Sequence, residues 1–132
     1  APLSDDILGQ GQWSANYNEG SFTITATGFA VNPTSTARFV QVGKQTTIIF
    51  PQIQSTSNAT TMTITGIPAT LVAAYPAWVM IPTFDNGFVP VNGMVLADTT
   101  TAWTVFSNSV GAGWTAAGIK GFQNCAVTYI SI

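Results

Sequence analysis

The sequence predicts an all-β fold, namely an antiparallel, jelly-roll-like β-sandwich of about eight to nine strands. Three observations support this prediction. Threonine alternates with apolar residues, as in Phe22–Thr27 and Thr61–Thr65, and this period of two gives a strand one apolar face and one hydroxyl face. Turn-forming residues recur between short apolar runs, as expected for a sandwich. Helix signals are almost absent, and no fixed-period repeat points to a solenoid or a propeller.

Nine strands are predicted in order along the chain, each bounded by residues that favour turns. Asn92-Gly93, between two apolar runs, predicts a tight hairpin. Asp85-Asn86-Gly87 predicts a slightly longer turn. The predicted strands are Ser21–Phe29, Ala37–Val42, Thr46–Phe50, Thr60–Thr65, Ala77–Ile81, Gly87–Val91, Met94–Asp98, Ala102–Phe106 and Cys125–Ile132.

Outside the strands, two segments have a distinct composition. Ala69–Ala77 is rich in alanine, but Pro68 and Pro76 bracket it, so a single helical turn is the most that we expect there. Residues 1–20 differ from the rest of the chain and are interpreted as an N-terminal linker or neck segment. Residues 21–132 are then the β-sandwich domain.

The small number of charges excludes several partners. The chain has three Lys or Arg, five Asp or Glu and no His, so its formal net charge is −2. Soluble domains usually have about a quarter charged residues, so neutral hydroxyls and amides must form much of this surface. Because no basic patch is possible, we do not expect nucleic-acid binding. Because no apolar run reaches roughly 20 residues, we do not expect membrane insertion. No cofactor and no metal site are predicted.

Apolar residues make up 46% of the chain. Without a membrane span, this excess suggests surface that is buried between subunits, and the alternative is a monomer with a large core. Cys125 is the one cysteine, so an internal disulfide is excluded, and its apolar surroundings predict that it packs as a small hydrophobe.

Catalytic residue types are scarce, and the chain is predicted not to be an enzyme. Without His, a hydrolytic triad has no base. A glycosidase needs two carboxylates roughly 5 to 10 Å apart, and Asp85 with Asp98 is the pair considered for that role. Turn-stabilising hydrogen bonds are the alternative role of both residues. A calcium ion held by Asp85, Asn86 and backbone carbonyls is a further alternative, although the spacing does not match a known calcium loop.

Three stretches in order resemble the C-terminal domain of bacteriophage tail fibres and tailspikes, and the match covers roughly residues 21 to 132. The stretches are Arg38–Pro51, Ser57–Pro68 and Trp114–Gly121, the last closing on Val127-Thr128-Tyr129. The resemblance implies a β-sandwich at the distal end of a homotrimeric fibre or spike on an extracellular virion. It implies attachment to a bacterial surface polysaccharide, and it carries no catalytic residues over to this chain. The alternatives are a structural trimerisation cap, a lectin-like module unrelated to phage, and a small enzyme acting through Asp85 and Asp98.

Candidate ligand contacts are aromatic and amide side chains on loops, because rings stack on sugars and amides bond their hydroxyls. The loop tips near residues 54–59, 83–88 and 107–114 are the expected positions. The candidate residues are Trp114, Tyr75, Asp85, Asn86 and Phe88.

The other tryptophans and the last lysine are expected to have structural roles. Trp13, Trp78 and Trp103 lie in or beside apolar runs and are expected in the core or an interface. Lys120 is expected to be a charge in a turn.

Overall fold

The computed structural model describes residues 17–111 and 113–132, which form ten β-strands and one turn of 3₁₀ helix at Ala69–Leu71. The single turn between the two prolines is as predicted. The strands are β1 (Tyr17–Ala26), β2 (Thr34–Val42), β3 (Gln45–Phe50), β4 (Ile53–Thr56), β5 (Met62–Thr65), β6 (Ala77–Asp85), β7 (Val91–Ala97), β8 (Ala102–Phe106), β9 (Ile119–Phe122) and β10 (Cys125–Ile130).

All strand pairs are antiparallel and belong to one hydrogen-bonded sheet with the order β10-β3-β2-β1-β5-β8-β7-β6-β9-β4. The prediction of an antiparallel all-β fold is confirmed. The predicted number of eight to nine strands is too low, because the short strands β4 and β9 were missed. They pair with each other, and β9 also pairs with the end of β6.

Threonine alternation forms strands for the reason that the sequence suggested. In β1, Ile24 and Ala26 are fully buried, whereas Thr23 is exposed and Thr25 is half-buried. Because neighbouring side chains of a strand point to opposite faces, each apolar residue enters the core and each threonine faces outward.

The sheet curls around one core. Phe50 lies on β3, second in the strand order, yet its ring is 6.3 Å from that of Trp103 on β8 and 6.1 Å from that of Phe122 on β9. Tyr129 on β10 lies 5.1 Å from Trp103, edge to face. Strands far apart in the sheet therefore meet through their aromatic side chains. Trp103 is fully buried, which confirms its predicted place in the core.

The hairpin prediction at Asn92-Gly93 is wrong. Both residues lie within β7, opposite Pro82 and Ile81 of β6, and the connecting loop is residues 86–90. The predicted strand Gly87–Val91 is therefore mostly this loop. Glycine is required at position 93 for a different reason, since a Cβ there would lie 2.7 Å from the carbonyl oxygen of Phe106. The Asn92-Gly93 pair, which resembles a turn signal in the sequence, instead contains a glycine that lets two strands approach closely.

Most strands run between two ends of the molecule. We call the end with the connections 27–33, 57–61, 86–90 and 107–118 the loop end. The far end carries the turn at Gly43-Lys44 and the segments 66–76 and 98–101. Since β1 begins at Tyr17, most of the predicted neck lies outside the described residues, as does Trp13, and the division at residue 20 stays a prediction.

Candidate binding site

Three of the connections that were predicted as loop tips come together at the loop end. Ser57 donates its hydroxyl to the carbonyl of Thr115 at 2.6 Å, and the amide of Ser57 donates to Gly118 at 2.8 Å. The amide of Trp114 donates to the carbonyl of Thr60 at 2.9 Å. These bonds fix the β8–β9 connection against the β4–β5 loop. Backbone and hydroxyl groups thus hold the loops in one arrangement.

Lys120 lies beneath these loops and has no exposed surface. Its Nζ donates to the carbonyl oxygens of Ala59 and Thr61, each at 3.0 Å. It also lies 5.0 Å from the ring centroid of Phe29 and 5.7 Å from that of Trp114, within the range of cation–π attraction. Burial lowers the pKa of Lys120, and the nearby charge of Asp85 acts in the opposite direction.

The prediction that Lys120 is a turn charge is therefore wrong. It lies within β9, and its side chain points to the interior of the sheet, as does that of Phe122 two residues later. Gly121 lies between these two residues. Its Cβ would lie 2.7 Å from the carbonyl carbon of Ile53, so glycine is needed there for β4 to pair with β9. The apolar residues Ile119 and Phe122 are three positions apart, so the local sequence has no period of two that would have indicated this strand.

Asp85 ends β6 and faces Thr115 across the loop end. Its carboxylate accepts the Thr115 amide at 3.0 and 3.2 Å and the Thr115 hydroxyl at 2.9 Å. A carboxylate can accept about four hydrogen bonds, and Asp85 is half-buried, so acceptor capacity still faces solvent. Thr115 was not predicted as a site residue, because a threonine that follows Trp114 has no distinctive signal in such a threonine-rich chain.

Asn86 and Phe88 shape the surface beside this carboxylate. Asn86 is exposed and has a φ of 54°, the left-handed conformation that asparagine tolerates. It packs on Gly118, where a Cβ would lie 3.1 Å from the Asn86 Cα. The Gly87 amide donates to Ile119 at 3.0 Å, and Phe88 projects outward with 60% of its surface exposed. Asp85, Asn86 and Phe88 thus lie at the β6–β7 connection of the loop end, and their role as ligand contacts stays a prediction.

Trp114 lies on the connection between β8 and β9, in agreement with the prediction of a loop tryptophan, but it does not present its ring to solvent. Only 4% of its surface is exposed, and its indole N–H donates to the carbonyl of Val105 at 2.8 Å. Its ring covers the Lys120 amine instead. Trp114 therefore supports the site from below.

Tyr75 and Asp98 lie at the far end. Tyr75 is 77% exposed, but all of β6 separates it from Asp85, a span of about 30 Å at 3.3 Å per residue. Asp98 follows β7 at the same end and accepts the Thr99 amide at 2.7 Å. The predicted grouping of Tyr75 with the Asp85 turn is wrong. Asp85 and Asp98 of one chain are also too far apart to act as a glycosidase pair.

Two negative findings concern residues 17–111 and 113–132 only. No three Cys, Asp or Glu side chains cluster there in a way that could hold a metal ion. No helix in that part of the chain is long and apolar enough to cross a membrane.

Comparison with known proteins shows a likeness of fold. No protein-family model matches the sequence, and no curated protein matches it. Among solved structures, the chain is similar to the reovirus attachment protein sigma1, determined in complex with alpha-2,3-sialyllactose. The TM-score is 0.55 with 11% sequence identity, over 88% of this chain and 67% of the sigma1 chain. At this identity, the likeness establishes that the chain shares the all-β fold of a viral attachment protein.

Proposed function

We propose that this chain is the distal domain of a phage tail fibre or tailspike, exposed on the virion, and that it attaches to a bacterial surface glycan without catalysis. The observation that carries the proposal is the group of Asp85, Asn86, Thr115 and Phe88 on the surface of the loop end. The resemblance of three stretches to phage fibre domains and the fold shared with a viral attachment protein support it. The jelly-roll-like sandwich and the homotrimer belong to the same proposal.

The chemistry of these side chains suits a sugar. The exposed ring of Phe88 offers an apolar plane on which a pyranose can stack. The carboxylate of Asp85 accepts sugar hydroxyls, and the amide of Asn86 both donates and accepts. Because the bonds from Thr115 hold Asp85 in place before a ligand arrives, little side-chain entropy is lost on binding.

The charges at the loop end favour binding of an uncharged sugar over an acidic one. The chain has three basic side chains, which are Arg38 on β2, Lys44 in the far-end turn and the buried Lys120. None of them is exposed in the four connections of the loop end. An acidic sugar bound beside Asp85 would therefore meet a carboxylate with no exposed cation to pair with.

Glycan-array and whole-cell binding test the proposal, with Phe88→Ala and Asp85→Asn as variants. Loss of the ring or of the carboxylate should weaken binding about tenfold or more, the equivalent of ~1.4 kcal/mol. Tyr75→Ala is the matched control, because Tyr75 is equally aromatic and still more exposed, but lies at the far end. Equal losses in Phe88→Ala and Tyr75→Ala, or binding to no glycan and no bacterial cell, would contradict the proposal.

A structural trimerisation cap is the second candidate, favoured by the exposed apolar side chains Trp78 and Met80 on the outward face of β6. A trimer that binds no cell would support it. A lectin-like module unrelated to phage would bind glycans as a monomer. Turnover of a capsular or O-antigen polysaccharide that is lost in Asp85→Asn would instead support an enzyme.

A further inference from the structure

The outward surface of β2, β1 and β5 consists largely of threonine. Thr36 pairs with Thr23, Thr34 with Thr25, and Thr25 with Thr65 across the neighbouring strands. Their hydroxyls give this part of the sheet a polar surface without charge. It is the surface that a domain with so few charged residues needs in water.

The outward surface of β6, β7 and β8 is different. Trp78 lies opposite Leu96, Met80 lies opposite Met94, and Met94 lies opposite Phe106. Trp78 is 56% exposed and Met80 is 53% exposed, and the ring of Trp78 lies 5.3 Å from that of Phe106. We call these five residues the Trp78 patch. No charged residue belongs to it. The exposure of Trp78 shows that it does not lie in the core, the first of the two locations expected for it.

We propose that the Trp78 patch packs against further copies of this chain and forms the central contact of the homotrimer. This inference rests on the homotrimer of the proposed function. Cores of subunit interfaces are enriched in Trp, Phe and Met and depleted of charge, which is the composition of this patch. A polysaccharide would find few hydrogen-bonding groups here, in contrast to the loop end.

The area of the patch fits this occupant. A tryptophan presents up to about 250 Å², so Trp78 at 56% exposure and Met80 at 53% offer ~100–140 Å² each. With the half-buried Met94, Leu96 and Phe106, the patch reaches roughly 350–450 Å², a size that on monomers is often functional. A stable interface needs about 800 Å² per partner. The patch supplies about half of that as an apolar centre, and the outward-facing pair Thr63 and Thr104, on β5 and β8 beside it, can supply a polar rim.

Native mass, measured by light scattering and sedimentation over a hundredfold range of concentration, tests the inference. The parent protein should be a trimer. Met80→Lys places a charge in the patch and should raise the concentration needed for assembly about 100-fold or more, since like charges would meet at the interface. Thr36→Lys is the control, because it adds the same charge to an exposed outward position on β2 and should leave the trimer intact.

A monomeric parent protein, a trimeric Met80→Lys, or equal dissociation of Thr36→Lys would overturn the inference. Circular dichroism shows whether each variant is folded, and Met80→Gln replaces Met80→Lys if the latter does not fold. Glycan binding is read separately. A trimer that binds no glycan refutes the proposed function and leaves the patch assignment standing. A monomeric Met80→Lys should keep the per-site affinity and lose only avidity.

Discussion

Replacing Lys120 with methionine tests whether the buried amine stabilises the loop end. Methionine retains the length of the side chain but removes the amine donor from the carbonyls of Ala59 and Thr61. The Ala59 carbonyl still accepts the Ser57 hydroxyl at 3.2 Å, so it is not left unpaired. A buried acceptor left unpaired costs about 1–3 kcal/mol, so we assign ~1–3 kcal/mol to the Thr61 carbonyl and about 1 kcal/mol to the weaker pairing of Ala59. The methionine variant no longer has to desolvate a buried charge, which offsets part of this cost. We expect a net loss of ~1–3 kcal/mol, or a melting temperature lower by several degrees.

Urea unfolding at one fixed protein concentration, followed by circular dichroism, measures this loss. Lys44→Met is the matched control, because it removes the same charge from an exposed turn and should change stability by less than about 0.5 kcal/mol. If Lys120→Met is as stable as Lys44→Met, the hydrogen bonds of the amine do no more than balance its desolvation, and the reasoning is refuted.

The pH dependence of the same pair gives an independent check. Burial lowers the pKa of Lys120 in the folded state, so between that pKa and the ordinary value near 10.4 the unfolded chain binds more protons. Stability contributed by Lys120 is thus lost as pH falls through the folded pKa and rises toward pH 10. The difference between parent and Lys120→Met should therefore grow with rising pH, whereas a constant difference would contradict a buried amine.

Three further predictions concern two residues, Cys125 and Gly93. Burial raises the pKa of the Cys125 thiol to about 11, so at pH 8 iodoacetamide should modify the native protein at least tenfold more slowly than the urea-unfolded chain, and equal rates would show an accessible thiol. The same shift makes the contribution of Cys125 to stability disappear as pH rises from about 9 to 11, a loss that Cys125→Ala should lack. Gly93→Ala should destabilise by about 2 kcal/mol or more in urea unfolding, because its Cβ would meet Thr83 and the Phe106 carbonyl. In the comparison variant Gly43→Ala the Cβ would contact nothing, so it should lose only the ~1–2 kcal/mol that a left-handed φ of 61° costs an alanine.

Strand existence could be predicted wherever one face is apolar and the other is threonine. β1 and β5 follow this rule, and burial of Ile24 and Ile64 confirms it. The missed strands break it. β4 is mostly polar at Ile53–Thr56, and β9 contains a lysine and a glycine, so local pattern favoured loops. Their pairing is decided by tertiary contacts, which a period of two along the chain does not report.

The loop end could be predicted in part. Turn residues located Asp85 and Asn86 correctly, because turn chemistry is local. The locations of Trp114 and Tyr75 depend on how the sheet curls and on which end of β6 each residue occupies, and neither follows from neighbouring residues. The same applies to Lys120, whose partners are 59 and 61 positions away in sequence.

The structure places the proposed glycan site and the proposed trimer contact on different surfaces of the molecule. Asp85 lies at the loop end, where Thr115 donates to its carboxylate and Ser57 donates to the carbonyl of Thr115. The Lys120 amine in turn holds the loop that follows Ser57 by donating to Ala59. The Trp78 patch lies on the outward face of the sheet, along β6 from the same Asp85. If three copies pack through this face about an axis parallel to the strands, their loop ends remain uncovered and point in a common direction. If each loop end binds a sugar as proposed, the weak contacts act together, and such avidity raises overall binding by about 10²–10⁴-fold without any new contact.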